Sequence, residues 1–91
     1  MLHTRILNFE GEAVYYLGYP LALGSAQRAV LLALVGAVGE PLDTEALSRK
    51  SGVGRSNIAA TVAAINKKAA LIGGRALILS GRGQGYCLSE Y

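Results

Sequence analysis

The stretch Ser48-Arg49-Lys50-Ser51-Gly52-Val53-Gly54-Arg55-Ser56-Asn57-Ile58 decides the fold. Two helices that cross closely need a small residue on the first, and Ser48 meets that need. Four residues on, the chain must reverse, which calls for glycine, and Gly52 stands there. An apolar pair must then hold the second helix down, and Val53 and Ile58 have that spacing. The requirements of a helix–turn–helix unit are met in order. Short helical hairpins in unrelated folds also use Gly-Val turns, so the flanking sequence has to say what the unit is for.

The helix after the turn is expected to open at Ser56, a good N-cap, and to run through SNIAATVAAINKKAAL to a stop at Gly73-Gly74. Ile58, Val62, Ile65 and Ala69 recur at helical spacing and predict its buried stripe. The opposite face reads as Asn57, Thr61, Ala64 and Lys68, flanked by Ala60 and Lys67. A groove-entering helix needs small or hydrogen-bonding residues at its leading end and cations at its sides. Asn57 and Thr61 are therefore candidates for base edges, and Arg55, Lys67 and Lys68 for phosphates. Without a ligand, the same residues make a solvated helix surface.

Working outward, Thr44-Glu45-Ala46-Leu47-Ser48-Arg49-Lys50-Ser51 predicts the first helix of the unit, capped by Asp43 or Thr44. A longer helix precedes it in SAQRAVLLALVGAVG, opened by Ser25 and stopped by Gly39. Leu31, Leu34, Val35 and Val38 form its core stripe. The first 24 residues read as short strands around Ile6 and Asn8, over 12–17 and over 21–23. Turns fall at Glu10-Gly11-Glu12 and Gly18-Tyr19-Pro20. Downstream, ALILS and YCLSE predict a hairpin with Gly81-Arg82-Gly83-Gln84-Gly85 at its tip. A phosphate-cradling glycine loop leads into a helix, whereas a strand follows here, so the tip is not read as a nucleotide site. A glycine-rich tip carrying Arg82 suits a narrow minor groove, which attracts guanidinium. Its plainer reading is a solvated turn. The expected class is α+β: an antiparallel β-meander over 1–24, a three-helix core over 25–72 and a hairpin over 75–90, one domain spanning 1–91.

Composition narrows the function. With 52% hydrophobic and 16% charged residues in 91, and a mean hydropathy of +0.35, a disordered tail is excluded. One cysteine, Cys87, excludes an intramolecular disulfide, and no Cys/His cluster offers a zinc site. The single histidine, His3, excludes a His-based triad or a three-His metal site, and no carboxylates pair at catalytic spacing. No enzyme, metal or cofactor is expected. The five tyrosines read as sheet and core-edge packing, and Cys87 as a small hydrophobe. No signal peptide is visible at the start. The apolar stretch 13–39 is broken by Pro20, Gln27 and Arg28, and its clean piece 29–39 falls short of the roughly 20 residues a span needs. A cytoplasmic protein without membrane contact is the expectation.

Charge divides along the chain. Over 1–48, Arg5 and Arg28 stand against Glu10, Glu12, Glu40, Asp43 and Glu45, a net of −3. Over 49–91, Arg49, Lys50, Arg55, Lys67, Lys68, Arg75 and Arg82 stand against Glu90, a net of +6. A basic half beside an acidic half suggests that one face meets a polyanion.

The run Ile65-Asn66-Lys67-Lys68-Ala69, a short spacer, and Ser80-Gly81-Arg82-Gly83-Gln84-Gly85-Tyr86-Cys87-Leu88 resemble the end of the OmpR/PhoB-type winged-helix effector domain. Arg82, Gly83, Gly85, Tyr86 and Leu88 match that family's hairpin position by position. Leu21, Leu23, Ser25, Gln27 and Val30-Leu31-Leu32 match its entry into the first helix. The resemblance covers essentially the whole chain and implies a winged-helix transcription regulator. Its third helix would enter the major groove, its wing arginine would touch the adjacent minor groove, and tandem homodimers would bind direct repeats. Three departures stand out. Ala63, Ala64 and Asn66 occupy positions where the family carries arginines. The loop between the second and third helices, through which the family often touches RNA polymerase, is about five residues shorter, leaving that contact without its usual support. No phosphoacceptor receiver domain is encoded in these residues.

The reading is therefore sequence-specific binding of double-stranded DNA by Arg55, Ser56, Asn57, Thr61, Ala64, Lys67, Lys68, Arg82 and Gln84. The alternative is a winged-helix protein-interaction module that docks an apolar partner helix, or a second copy, on Ala59-Ala60 and Ala63-Ala64.

Overall fold

The computed structural model describes residues 2–3, 6–37, 40–81 and 85–89. Four short antiparallel strands come first: β1 (Leu2–His3), β2 (Leu7–Glu10), β3 (Ala13–Tyr16) and β4 (Tyr19–Pro20), paired in that order. Along β2 and β3 the period of two sends Leu7, Phe9, Val14 and Tyr16 inward. The turn at Glu10-Gly11-Glu12 is where the sequence predicts it. The next one is not. Leu17 and Gly18 make the reversal, at φ 55° and 84°, and Tyr19–Pro20 pairs with Tyr15 and Tyr16. Residues 21–23 are not a strand, although the Leu21 N–H adds one rung to the Val14 carbonyl at 2.8 Å. Pro20 looks like a breaker, but on an edge strand its missing N–H costs nothing.

Three helices follow: α1 (Ser25–Gly36), α2 (Thr44–Ser51) and α3 (Arg55–Gly73). Their ends differ from expectation in a consistent way. Gly24, not Ser25, caps α1, and the Gln27 side chain reaches back to accept from the Gly24 N–H at 3.1 Å. Gly54, not Ser56, caps α3, so that helix begins at Arg55. Serine in both cases sits just inside the helix, because a glycine one or two positions earlier already holds the extended backbone from which the helix starts, at ψ 170° for Gly24 and 143° for Gly54. Asp43 caps α2 as expected, its carboxylate accepting from the Ala46 N–H at 2.7 Å. α1 closes at Ala37; the expected stop at Gly39 and the stripe residue Val38 lie outside the described residues.

The helix–turn–helix is built as the spacing requires. Gly52 ends α2 at φ 79°, a left-handed position that a side chain resists. Ser48 donates its hydroxyl to the Val53 carbonyl at 2.6 Å, so the small residue also ties the turn. Leu47 from α2, Val30, Leu31, Leu34 and Val35 from α1, and Ile58, Val62, Ile65 and Ala69 from α3 are all buried together. The sheet and the final hairpin, β5 (Ile78–Gly81) and β6 (Gly85–Leu88), close this core with Leu77, Ile78 and Leu88.

β6 has a second neighbour. Leu42, in the α1–α2 connection, forms an antiparallel bridge with Tyr86. The hairpin is thus anchored beside its last described pair, Gly81–Gly85, on the side away from β5. The α+β winged-helix order expected from the sequence is the architecture observed, with one more strand in the meander. Among the described residues no helix is long and apolar enough to cross a membrane.

Candidate nucleic-acid interface

The outward face of α3 is defined by what its buried stripe leaves. Ile58, Val62, Ile65 and Ala69 are buried, as the periodicity predicts. Ser56, Ala59, Ala60, Ala63, Lys67, Ala70 and Leu71 are exposed, and Leu71 is 86% exposed. The row Asn57–Thr61–Ala64–Lys68 is a different surface. Only Asn57 is exposed, and the other three are half-buried. At 100° per residue that row lies about 80° round the helix from the middle of the open face. The expectation that it stands opposite the core is corrected. Ala60 and Lys67, read as flanks, are the centre.

Packing explains the rotation. Lys68 turns toward the segment ahead of α1, where its ammonium donates to the Ala22 carbonyl at 2.5 Å and to Gln27 Oε1 at 2.8 Å. Gln27 thereby serves two ends at once, the α1 N-terminus and α3. Thr61 donates its hydroxyl back to the Asn57 carbonyl at 2.7 Å, a local bond common for threonine inside helices. Ala64 lies between them. All three residues are half-buried on one flank of α3, which Lys68 ties to the segment ahead of α1.

Cations gather at the leading end of α3. Arg55 is 70% exposed and lies 3.8 Å from the Glu45 carboxylate, a surface pair that solvent screens. Arg49 and Lys50 are exposed in the last turn of α2, just across the Gly52 turn. They were not singled out as site residues in the sequence, though both belong to its basic half. α3 itself carries no acidic residue, in its first turn or beyond, and the carboxylate beside its leading end is that of Glu45 on α2. Lys67 stands alone on the open face further along. Arg82 and Gln84 lie outside the described residues.

Asn66 is the residue the sequence reading undervalued. Its amide oxygen accepts from the N–H groups of Leu77 and Ile78 at 3.0 and 2.7 Å, and its amide nitrogen donates to the Ile78 carbonyl at 2.9 Å. Nothing in linear spacing links it to residues 77 and 78. The only signal was a polar side chain beside the buried stripe.

No family model matches the sequence, and no characterised protein sequence matches it. Solved structures do. A redox-sensor protein from the streptococci, evolved from two-component response regulators, superposes with a TM-score of 0.80 at 21% identity over 96% of this chain. This chain spans 41% of that protein's length. The DNA-binding domain of the response regulator AdeR, solved in complex with an intercistronic region, superposes with a TM-score of 0.80 at 17% identity. That match covers 94% of this chain and 95% of the domain. The likeness is one of fold: the chain has the winged-helix architecture of response-regulator DNA-binding domains.

Proposed function

We propose that this protein binds double-stranded DNA as a non-enzymatic transcription regulator, with α3 in the major groove and the β5–β6 hairpin at the minor groove. One observation carries the reading. α3 is held to the core along a single stripe, has no acidic residue, and meets solvent beside four exposed cations, Arg49, Lys50, Arg55 and Lys67. A small-residue face allows close approach to base edges, while cations at its margin meet phosphates. The winged-helix fold shared with a DNA-bound domain supports the same reading. Ser56 and Asn57 at the leading end are the groups able to hydrogen-bond a base edge, and Arg82 is assigned to the minor groove.

Titration of labelled random-sequence duplex at several salt concentrations tests the proposal. Each phosphate neutralised contributes about −0.9 to the slope of log affinity against log salt. Binding that weakens steeply with salt supports it, and absence of binding at low salt overturns it.

One observation favours a second reading. Leu71 is exposed on the same side as Ala60 and Ala63, an apolar stretch suited to a partner helix or a second copy. Association through that stretch would resist salt, so the same titration, followed by light scattering without DNA, separates the two.

A further inference from the structure

We propose that Asn66 is a positioning residue that sets the direction of the hairpin relative to α3, so that both elements engage one duplex together. The proposal rests on the DNA-binding reading above.

Asn66 lies on the flank of α3 between the buried stripe and the open face, and is half-buried. Its side chain makes three hydrogen bonds to the backbone where the chain enters β5, two accepted and one donated. Asparagine has both functions on one short arm. Aspartate lacks the donor, and an aliphatic residue of the same size lacks both.

The connection it spans would not fix an angle unaided. α3 ends at Gly73, and Gly74 turns the chain at φ 80° with its N–H on the Ala70 carbonyl, a cap that fixes the end of the helix but not the hairpin beyond it. Buried Leu77 and Ile78 hold the start of the hairpin down, but apolar burial is not directional. Hydrogen bonds are, since they weaken steeply off their axis. The amide of Asn66 thus adds direction to the start of β5 relative to α3, while the Leu42–Tyr86 bridge ties β6 to the α1–α2 connection rather than to α3. A hairpin already aimed along the duplex loses little freedom when it docks, and its contact becomes effectively intramolecular once α3 is seated.

Two duplexes test this, the footprint first being mapped on the wild type by hydroxyl-radical protection. The long duplex spans the whole footprint, and the short one ends where protection by α3 ends. The ratio of the two dissociation constants reports the hairpin's contribution, about tenfold for one good groove contact. Asn66→Ala should bring that ratio toward one while affinity for the short duplex keeps its wild-type value. Asn66→Asp keeps the two accepted bonds, loses the donated one, and should fall between. Equal loss on both duplexes, or an unchanged ratio with a lowered melting temperature, marks a merely structural residue and overturns the proposal. If Asn66→Ala does not fold, Asn66→Asp decides alone, and an unchanged ratio overturns. A wild type that binds neither duplex overturns the DNA-binding reading itself, and one that binds both equally removes the hairpin from the interface.

Discussion

Leu42 and Tyr86 exchange both of their backbone hydrogen bonds, each 2.8 Å long, and so bridge the α1–α2 connection to the hairpin at one residue pair. The hairpin is therefore gripped twice, by Leu42 on β6 next to the Gly81–Gly85 pair and by Asn66 at the start of β5. Gly85 precedes Tyr86 at φ 88°, and a Cβ there would run into the Leu42 carbonyl.

Gly85→Ala should accordingly suffer backbone strain and a steric clash together. Strain at a left-handed position costs about 1–3 kcal/mol, and the clash must then part the bridge. Gly52→Ala, at φ 79° with open space around it, suffers the strain alone. Denaturant unfolding of both variants should show Gly85→Ala losing the more stability. Equal losses would mean that the bridge yields easily.

Leu34 is buried at the meeting of the three helices, at 1% exposure. Leu34→Ala should cost about 2–5 kcal/mol, a large share of the roughly 5–15 kcal/mol available to a domain. Thermal unfolding checks this, and a melting curve unchanged from wild type would contradict the packing described.

Lys67 and Lys68 are neighbours with opposite fates. Lys67→Ala should lower the salt slope of DNA binding by about one unit and leave stability unchanged. Lys68→Ala should leave the slope nearly unchanged and lower stability, because it releases the Ala22 carbonyl and Gln27. Paired measurements of salt dependence and melting decide between this assignment and one in which both lysines hold phosphates.

Arg82→Ala should weaken binding by about 1–3 kcal/mol, the worth of one good groove contact, and leave folding unchanged. The loss should be greater on duplexes flanked by A·T runs, whose narrow minor groove favours a guanidinium. Equal loss on A·T and G·C flanks would reduce Arg82 to a phosphate contact, and no loss would take it out of the interface.

The buried stripe of α3 was fully legible because burial imposes a period, and Ile58, Val62, Ile65 and Ala69 repeat at that period. The open face was not. Its centre was misjudged by about a fifth of a turn or slightly more, since an alanine-rich helix has weak contrast between its sides. Thr61, Ala64 and Lys68 look polar or small enough for solvent, yet all three are half-buried, and Lys68 ties α3 to the segment ahead of α1. The helix starts were misplaced for a related reason. Ser25 and Ser56 have the chemistry of caps, but Gly24 and Gly54 already hold the extended backbone conformation from which each helix starts.

By itself the sequence determined the order of helices and hairpin, the helix–turn–helix with Gly52 at its turn, the buried stripe of α3 with Leu31, Leu34 and Val35 of α1, and the basic half of the chain. Those features follow from local conformational preference and from periodic burial, both of which act over a few residues. Only the tertiary structure decided which side of α3 faces outward, that Lys68 is held by Ala22 and Gln27, and that Asn66 and Leu42 grip the hairpin. Each of these joins residues more than ten positions apart. Such pairings depend on how the elements pack against one another, and a linear pattern of residue types does not encode the distance between them.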